Sequence, residues 1–422
     1  MPYAIAVDDT ITILAMNTVP IRLASRNVLR HRLRSTLTLA AVAIGVAGLL
    51  VVGGFVQDVY VQLAEATIHS QLGHLQIYRA GYFTSGSRKA SEYGITDAAS
   101  IIAVLRSFPE VQQVMSRQNF SALLNNGRSD FAVIGEGIEP GPERQLGSFV
   151  TFIQGRNLAD TDRDGIVVGE GVATSLALHV GSNVTLLTNT TVGAMNTADF
   201  KVVGVFRSFS RDYDNRAIRI SLDAAQELLD SGAPNALVVM LKETSQTTQA
   251  KTKIEGAMRG RDVEVLSWME LSDFYKKTIE LYRRQFGILE LITMIMVVLS
   301  VISSANMSTF ERVGEFGTMR ALGDRNGDIF RLVVVENIVI GLAGASIGVV
   351  IGVLLAIAIS EIGIPMPPPP NAESGYTASV QIVGSIVATT FAIGLFATIG
   401  AALWPAYRIS RVELADALRQ NV

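Results

Sequence analysis

Four stretches of this chain are long and apolar enough to cross a bilayer, so the fold must satisfy a membrane before anything else. A hydrocarbon core about 30 Å thick takes roughly 20 apolar residues in a helix. The stretches run from Leu37 to Phe55, from Phe286 to Ala305, from Leu332 to Ile359 with one charge at Glu336, and from Val380 to Trp404. Composition agrees: 49% of the 422 residues are hydrophobic and only 17% are charged, which is more apolar than soluble proteins of this size.

Arginine placement sets the expected orientation. Arg22, Arg26, Arg30, Arg32 and Arg34 precede the first stretch, Arg312, Arg320, Arg325 and Arg331 separate the second from the third, and Arg408, Arg411 and Arg419 follow the fourth. The loop 361–379 has no Lys or Arg. Both termini are therefore expected in the cytoplasm of a multi-pass membrane protein, with 58–284 outside. A cleaved signal peptide fits poorly, because the first apolar stretch starts more than thirty residues in and is too long for a signal core. Arg22–Ser35 places Arg22, Arg26 and Arg30 on one helical face, as in a basic helix lying on the cytoplasmic leaflet.

These features predict a four-helix membrane domain plus an α+β extracytoplasmic domain. The expected segments are a cytoplasmic tail and basic helix (1–35), spans at 36–57, 285–307, 332–360 and 380–404, and an outer domain at 58–284. A cytoplasmic loop (308–331), a Pro-rich outer loop (361–379) and a cytoplasmic tail (405–422) complete the chain. Within the outer domain, strand-like runs at 73–80, 131–138, 166–168, 183–187, 200–206, 236–241 and 263–266 alternate with helix-like runs at 98–105, 222–229 and 247–258. At its start Val52, Val56, Val59, Leu63 and Ala66 recur at steps of four and three. At its end Leu271, Tyr275, Thr278, Tyr282 and Phe286 do the same. Such stripes suit paired helices, and they predict that the first two spans continue outward as a stalk.

Several chemistries find no support. The chain has no cysteine, and its four histidines (His31, His69, His74, His179) lack metal-ligand spacing. No Ser-His-Asp or paired-carboxylate pattern stands out, so no catalytic residue, no metal and no cofactor on this chain are expected. A net charge of -3 without a long basic run gives no reason to expect nucleic acid. Gly341, Gly344, Gly348 and Gly352 in the third span suit close helix packing, against another span of the chain or against a second chain. Ser300, Ser303, Ser304 and Asn306 crowd the inner end of the second span. Glu336 is read as structural, with Arg331 as its neighbour, and Pro365–Pro370 as a stiff extended connector.

The cytoplasmic loop reads E-R-V-G-E-F-G-T-M-R-A-L-G from Glu311 to Gly323 and is followed by an apolar helix with an early Glu. With SRNVLRHRLRSTLTLAAVAIGVAGL at the start, GHLQIYRAGY and GRNLADTDRDGIVVGEGVATSLALHVGSNVTLL between, and WPAYRISRVELADALR at the end, this order resembles the FtsX/MacB/LolC-like permeases, the membrane subunits of mechanotransmitting ABC transporters. The resemblance implies two outer subdomains, one porter-like and one membrane-distal at about 141–233. It also implies a coupling helix, Glu311 to Gly323 with Leu322 in it, that docks on a cytoplasmic ATPase dimer through Phe316 and Met319 as apolar contacts and Glu311, Arg312, Glu315 and Arg320 as polar ones, with Gly323 as its stop. ATP and Mg are expected on that partner, since no G-x-x-x-x-G-K-[ST] loop occurs in the chain. A second permease chain, membrane lipid, and a periplasmic lipoprotein carrier or adaptor are the other partners implied. The closest layout is that of the lipoprotein-releasing permeases. Drug or peptide efflux and regulation of a cell-wall hydrolase are the alternatives.

Overall fold

The computed structural model describes residues 32–83, 93–146, 149–367 and 375–411. Residues 1–18, Arg22, Arg26, Arg30, Pro368–Pro370 and Arg419 lie outside the described residues. Helices of eight residues or more are α1 (Arg32–Thr67), α2 (Ala98–Arg106), α3 (Leu222–Leu229), α4 (Thr247–Ala257), α5 (Asp273–Glu311), α6 (Val313–Ala321), α7 (Asn326–Ile362) and α8 (Gly384–Ser410). Four of these, α1, α5, α7 and α8, include segments long and apolar enough to cross a membrane. The chain divides into two units. One is helical and contains the apolar part of each of these four; the other holds Tyr60–Glu280.

Every span is longer than its apolar stretch. α1 has 36 residues and α5 has 39, so each is about 54–58 Å long at 1.5 Å per residue, against a hydrocarbon core of about 30 Å. The unit boundaries fall inside these two helices, between Val59 and Tyr60 and between Glu280 and Leu281. Nothing in either sequence segment stops the helix, since Pro is absent from both.

In the helical unit, small residues let α1, α7 and α8 approach closely. A Cβ on Gly344 would lie 3.0 Å from Val42, one on Gly348 2.7 Å from the Ala43 carbonyl, and one on Gly352 3.1 Å from Ala47. Gly341 faces Thr398, and Gly394 faces Val46. The four glycines of the third span thus pack within the chain. Their outer ends are tied by polar bonds: the buried Asp58 carboxylate accepts from the Ser379 N–H, the Ser379 hydroxyl and the Gln381 amide, each at 2.8 Å. α5 joins through Val297 and Val301 and through the Thr38 and Ser304 hydroxyls.

In the outer unit a ten-stranded sheet runs in the order β10-β1-β9-β2-β3-β8-β5-β7-β4, with β6 pairing β2 and β7. The strands are β1 (Leu75–Arg79), β2 (Val111–Asn125), β3 (Asp130–Ile138), β4 (Thr151–Gly155), β5 (Gly165–Gly169), β6 (Asn183–Asn189), β7 (Met195–Arg207), β8 (Ala217–Ser221), β9 (Ala236–Leu241) and β10 (Val263–Ser267). Two cores line this one sheet. Leu75, Ile77, Val114, Leu237 and Val239 pack with α2 and α4, while Phe120, Leu124, Val168, Leu186 and Ile220 pack with α3. The core built around the expected 141–233 subdomain is not confined to those residues: the second half of β2 and part of β3 belong to it. β2, 15 residues long, contributes to both cores, so the two subdomains share a strand.

Candidate functional site

The segment after α5 is interrupted at one residue. Arg312 leaves helical geometry at φ -104°, ψ 9°, and α6 begins at Val313. Its guanidinium is buried, 6% exposed, and donates to Glu336 at 2.5 Å and to Glu315 at 3.0 Å. It also lies 4.9 Å from the Phe316 ring. Glu336 is thus neutralised by a residue 24 positions away, and a charge that would be costly beside lipid is paired. Phe316 is 3% exposed and packs with Val313, Ile329, Leu332, Val333, Ala406 and Ile409, with Met319 partly buried beside them.

This corrects the expected contact set. Phe316 and Arg312 face the chain's own interior and present no docking surface. The outward residues are Glu311, Glu315 and Thr318, and Leu322 at 85% exposure, with Met319 and Arg320 half-exposed. Gly323 ends α6 at φ +112°, a conformation glycine adopts without strain. The Asp328 carboxylate then accepts from the Arg325 N–H at 2.9 Å and starts α7.

The stalk stripe is found in both units, each in its own surroundings. Near the sheet, Leu63 and Ala66 of α1 pack with Phe209, Tyr275 and Ile279. Within the helical unit, Phe55 and Phe286 meet edge to face at 6.4 Å, with Tyr282 5.9 Å from Phe286. Val56 and Val59 are buried, while Val52 is half-buried. Leu271 is a correction: it precedes α5 and packs with Tyr78, Tyr82 and Leu266 on the sheet, because Ser272 breaks the helical run with extended backbone.

Sequence reasoning missed how the end of the first helix is held. α1 passes into a π-turn, Ile68–Leu72, whose last carbonyls lack partners of their own. Arg117 of β2 donates to the Gln71 carbonyl at 2.6 Å, and Arg219 of β8 donates to the Ser70 carbonyl at 3.2 Å. Both guanidiniums are buried. Arg117 pairs with Glu143, and Arg219 with Glu136 at 3.1 Å; Tyr213 donates to the same Glu136 at 2.6 Å. Burial alone would raise the Glu136 carboxyl, but Arg117 and Arg219 outweigh it and hold it below the usual range. Two cations at a helix C-terminus also suit its dipole. A signal existed in the sequence: Arg219 sits between Ile218 and Ile220, and Glu136 between two glycines, inside strand-like runs.

A hydrogen-bonded chain flanks this joint. His74 accepts at Nδ1 from the Leu241 N–H at 3.2 Å and bonds through Nε2 to Thr244 at 3.0 Å. The Thr244 hydroxyl donates to Glu65, which meets His69 at 3.2 Å. Burial and the neighbouring His69 push the His74 imidazole down to about 4. Among the described residues, no group of three His, Asp or Glu is placed to hold a metal.

Residues 35–257 match the family model of the MacB-like periplasmic core domain, and residues 287–414 match that of the FtsX-like permease C-terminal region. The lipoprotein-releasing system transmembrane protein LolC of Neisseria meningitidis is 24% identical over 404 residues, covering 90% of this chain and 93% of that one. The macrolide export ATP-binding/permease protein MacB of Hyphomonas neptunium is 22% identical over 413 residues, 94% of this chain and 60% of that one. An uncharacterised ABC transporter permease of Methanocaldococcus jannaschii is 26% identical over 211 residues, so 51% of its length, about half, is spanned.

Proposed function

This chain belongs to the family of ABC transporter permeases with a MacB-like periplasmic core and an FtsX-like C-terminal region, and on that premise we propose that it is the membrane subunit of an ATP-driven machine that pulls lipoprotein or lipid from the outer leaflet of a bacterial inner membrane. The observation that carries the reading is the length of α1 and α5. α1 runs as one helix from Arg32 to Thr67 and α5 from Asp273 to Glu311, and each holds residues of both units. A rigid helix transmits displacement along its axis, whereas a jointed one absorbs it.

In this reading the chain does not hydrolyse ATP. A cytoplasmic ATPase dimer binds ATP and Mg and docks against the outward face of α6, through Leu322, Glu315, Thr318 and Arg320. Both termini lie in the cytoplasm, and two permease chains work together, each moving its outer unit. The match over 93% of a lipoprotein-releasing permease favours lipoprotein or lipid over drug export as the cargo. The test is co-purification with the ATPase and its stimulated turnover. Leu322→Asp should abolish association while the purified permease keeps its melting temperature, since Leu322 makes little packing contact. Retained association and stimulation in that variant would sink the assignment of α6 as the docking element.

A further inference from the structure

We propose that the end of α8, with Phe310 at the end of α5, binds the headgroup of an anionic phospholipid. The Arg408 guanidinium lies between two aromatic rings, 5.5 Å from Phe310 and 5.7 Å from Trp404. One turn on, Arg411 lies 4.5 Å from the Tyr407 ring. The rings themselves are open to the surroundings: Trp404 is 57%, Phe310 54% and Tyr407 50% exposed. Arg312, at this end of the helical unit, is by contrast consumed internally by Glu336 and Glu315. Arg408 and Arg411 have no carboxylate among the described residues, and both are exposed.

Spacing explains why these groups converge. Trp404, Arg408 and Arg411 follow one another at four and three residues, so they share a face of α8. Pro405, inside the helix, has no N–H to bond the Ala401 carbonyl, and the last turn is held instead by packing of Ala406 and Ile409. The rings fix the guanidinium planes and leave their N–H edges for a phosphate, which guanidinium recognises through paired hydrogen bonds. Aromatic side chains of this kind sit at headgroup depth at the end of a span. Toward the middle of the same helix, Leu403 and Phe396 are 44% and 69% exposed, and they give an acyl chain an apolar track. That track favours a lipid over free phosphate. The arginine distribution places this end at the cytoplasmic leaflet, where anionic lipids add attraction for each cation.

The chain has two tryptophans, Trp268 and Trp404. Trp268 is 4% exposed within the outer unit, so lipid-borne quenchers reach Trp404 alone. The full chain is reconstituted in vesicles of phosphatidylcholine and phosphatidylglycerol, with bromine on the acyl chains of one lipid or the other. Brominated phosphatidylglycerol should quench Trp404 preferentially in the wild type. Arg408→Gln and Arg411→Gln should each lower that preference by roughly 5-fold, and the double variant should remove it. Arg408→Lys should keep part of it. Equal quenching by the two lipids, or a preference that survives the double variant, would overturn the proposal. Loss of the preference on adding inorganic phosphate at matched ionic strength would reassign the site to a soluble anion. A double variant that keeps its lipid preference and loses the partner ATPase would reassign the face to protein docking. Neither outcome bears on the docking of α6, which Leu322→Asp tests separately.

Discussion

At the scale of residues, two buried groups of the outer unit oppose one another. Asp214 accepts from the Ser208 N–H at 2.9 and 3.0 Å, yet burial pushes its carboxyl up to about 6. Its folded form therefore holds a proton that the unfolded chain releases near pH 4. Stability from this group is present at pH 4 and is lost as the pH rises through 6. His74 runs the other way. Its imidazole stays neutral down to about pH 4 in the fold, while the unfolded side chain takes a proton near 6.5, so stability is lost as the pH falls from 6.5 to 4. Asp214→Asn removes only the first effect. Thermal melts at pH 7 should favour this variant over the wild type by on the order of 3 kcal/mol at most, and the advantage should vanish by pH 4. A variant-to-wild-type difference that is constant across pH 4–7 would contradict the account. Sequence could not have signalled either group, because Asp214 and His74 are unremarkable until their neighbours enclose them.

At the scale of elements, legibility followed the strength of the local pattern. Apolar length made all four spans plain, and the runs at 222–229 and 236–241 coincide with α3 and β9. β2 escaped notice because its sequence, VQQVMSRQNFSALLN, carries polar residues on the buried side, where Arg117 finds Gln71 and Glu143. The inward turn of Phe316 was equally hidden, since a short helix with mixed faces does not announce which face is covered. The glycine stripe of α7 was visible as a packing surface, but its partner was not. That partner is α1 for Gly344, Gly348 and Gly352 and α8 for Gly341, and the approach to α1 is tight enough to test. A side chain at Gly348 must displace the Ala43 backbone, 2.7 Å from its Cβ. Gly348→Leu should lower the melting temperature of the purified protein by several degrees, consistent with a cost of roughly 1–3 kcal/mol for overpacking. Gly400→Leu, where the added Cβ meets nothing within 4 Å, is the control and should leave it unchanged.

At the scale of the whole molecule, α1 and α5 each run as one helix through residues of both units. Each residue added to an α-helix turns everything beyond it by about 100°. α5 meets α1 through Tyr275 and Ile279 within the outer unit and through Phe286 within the helical unit, and each contact uses its own set of helix positions. One alanine inserted after Leu281 therefore cannot satisfy both. Because the natural chain has no cysteine, a pair introduced at Phe55 and Phe286 reports the lower contact directly. Cross-linking of that pair should be efficient in the parent and lost with the insertion. Matched insertions of seven residues in α1 and α5, close to two whole turns, should restore it. Drift in the length of this chain is accordingly quantised in the two long helices, which accept changes only in whole turns and only together.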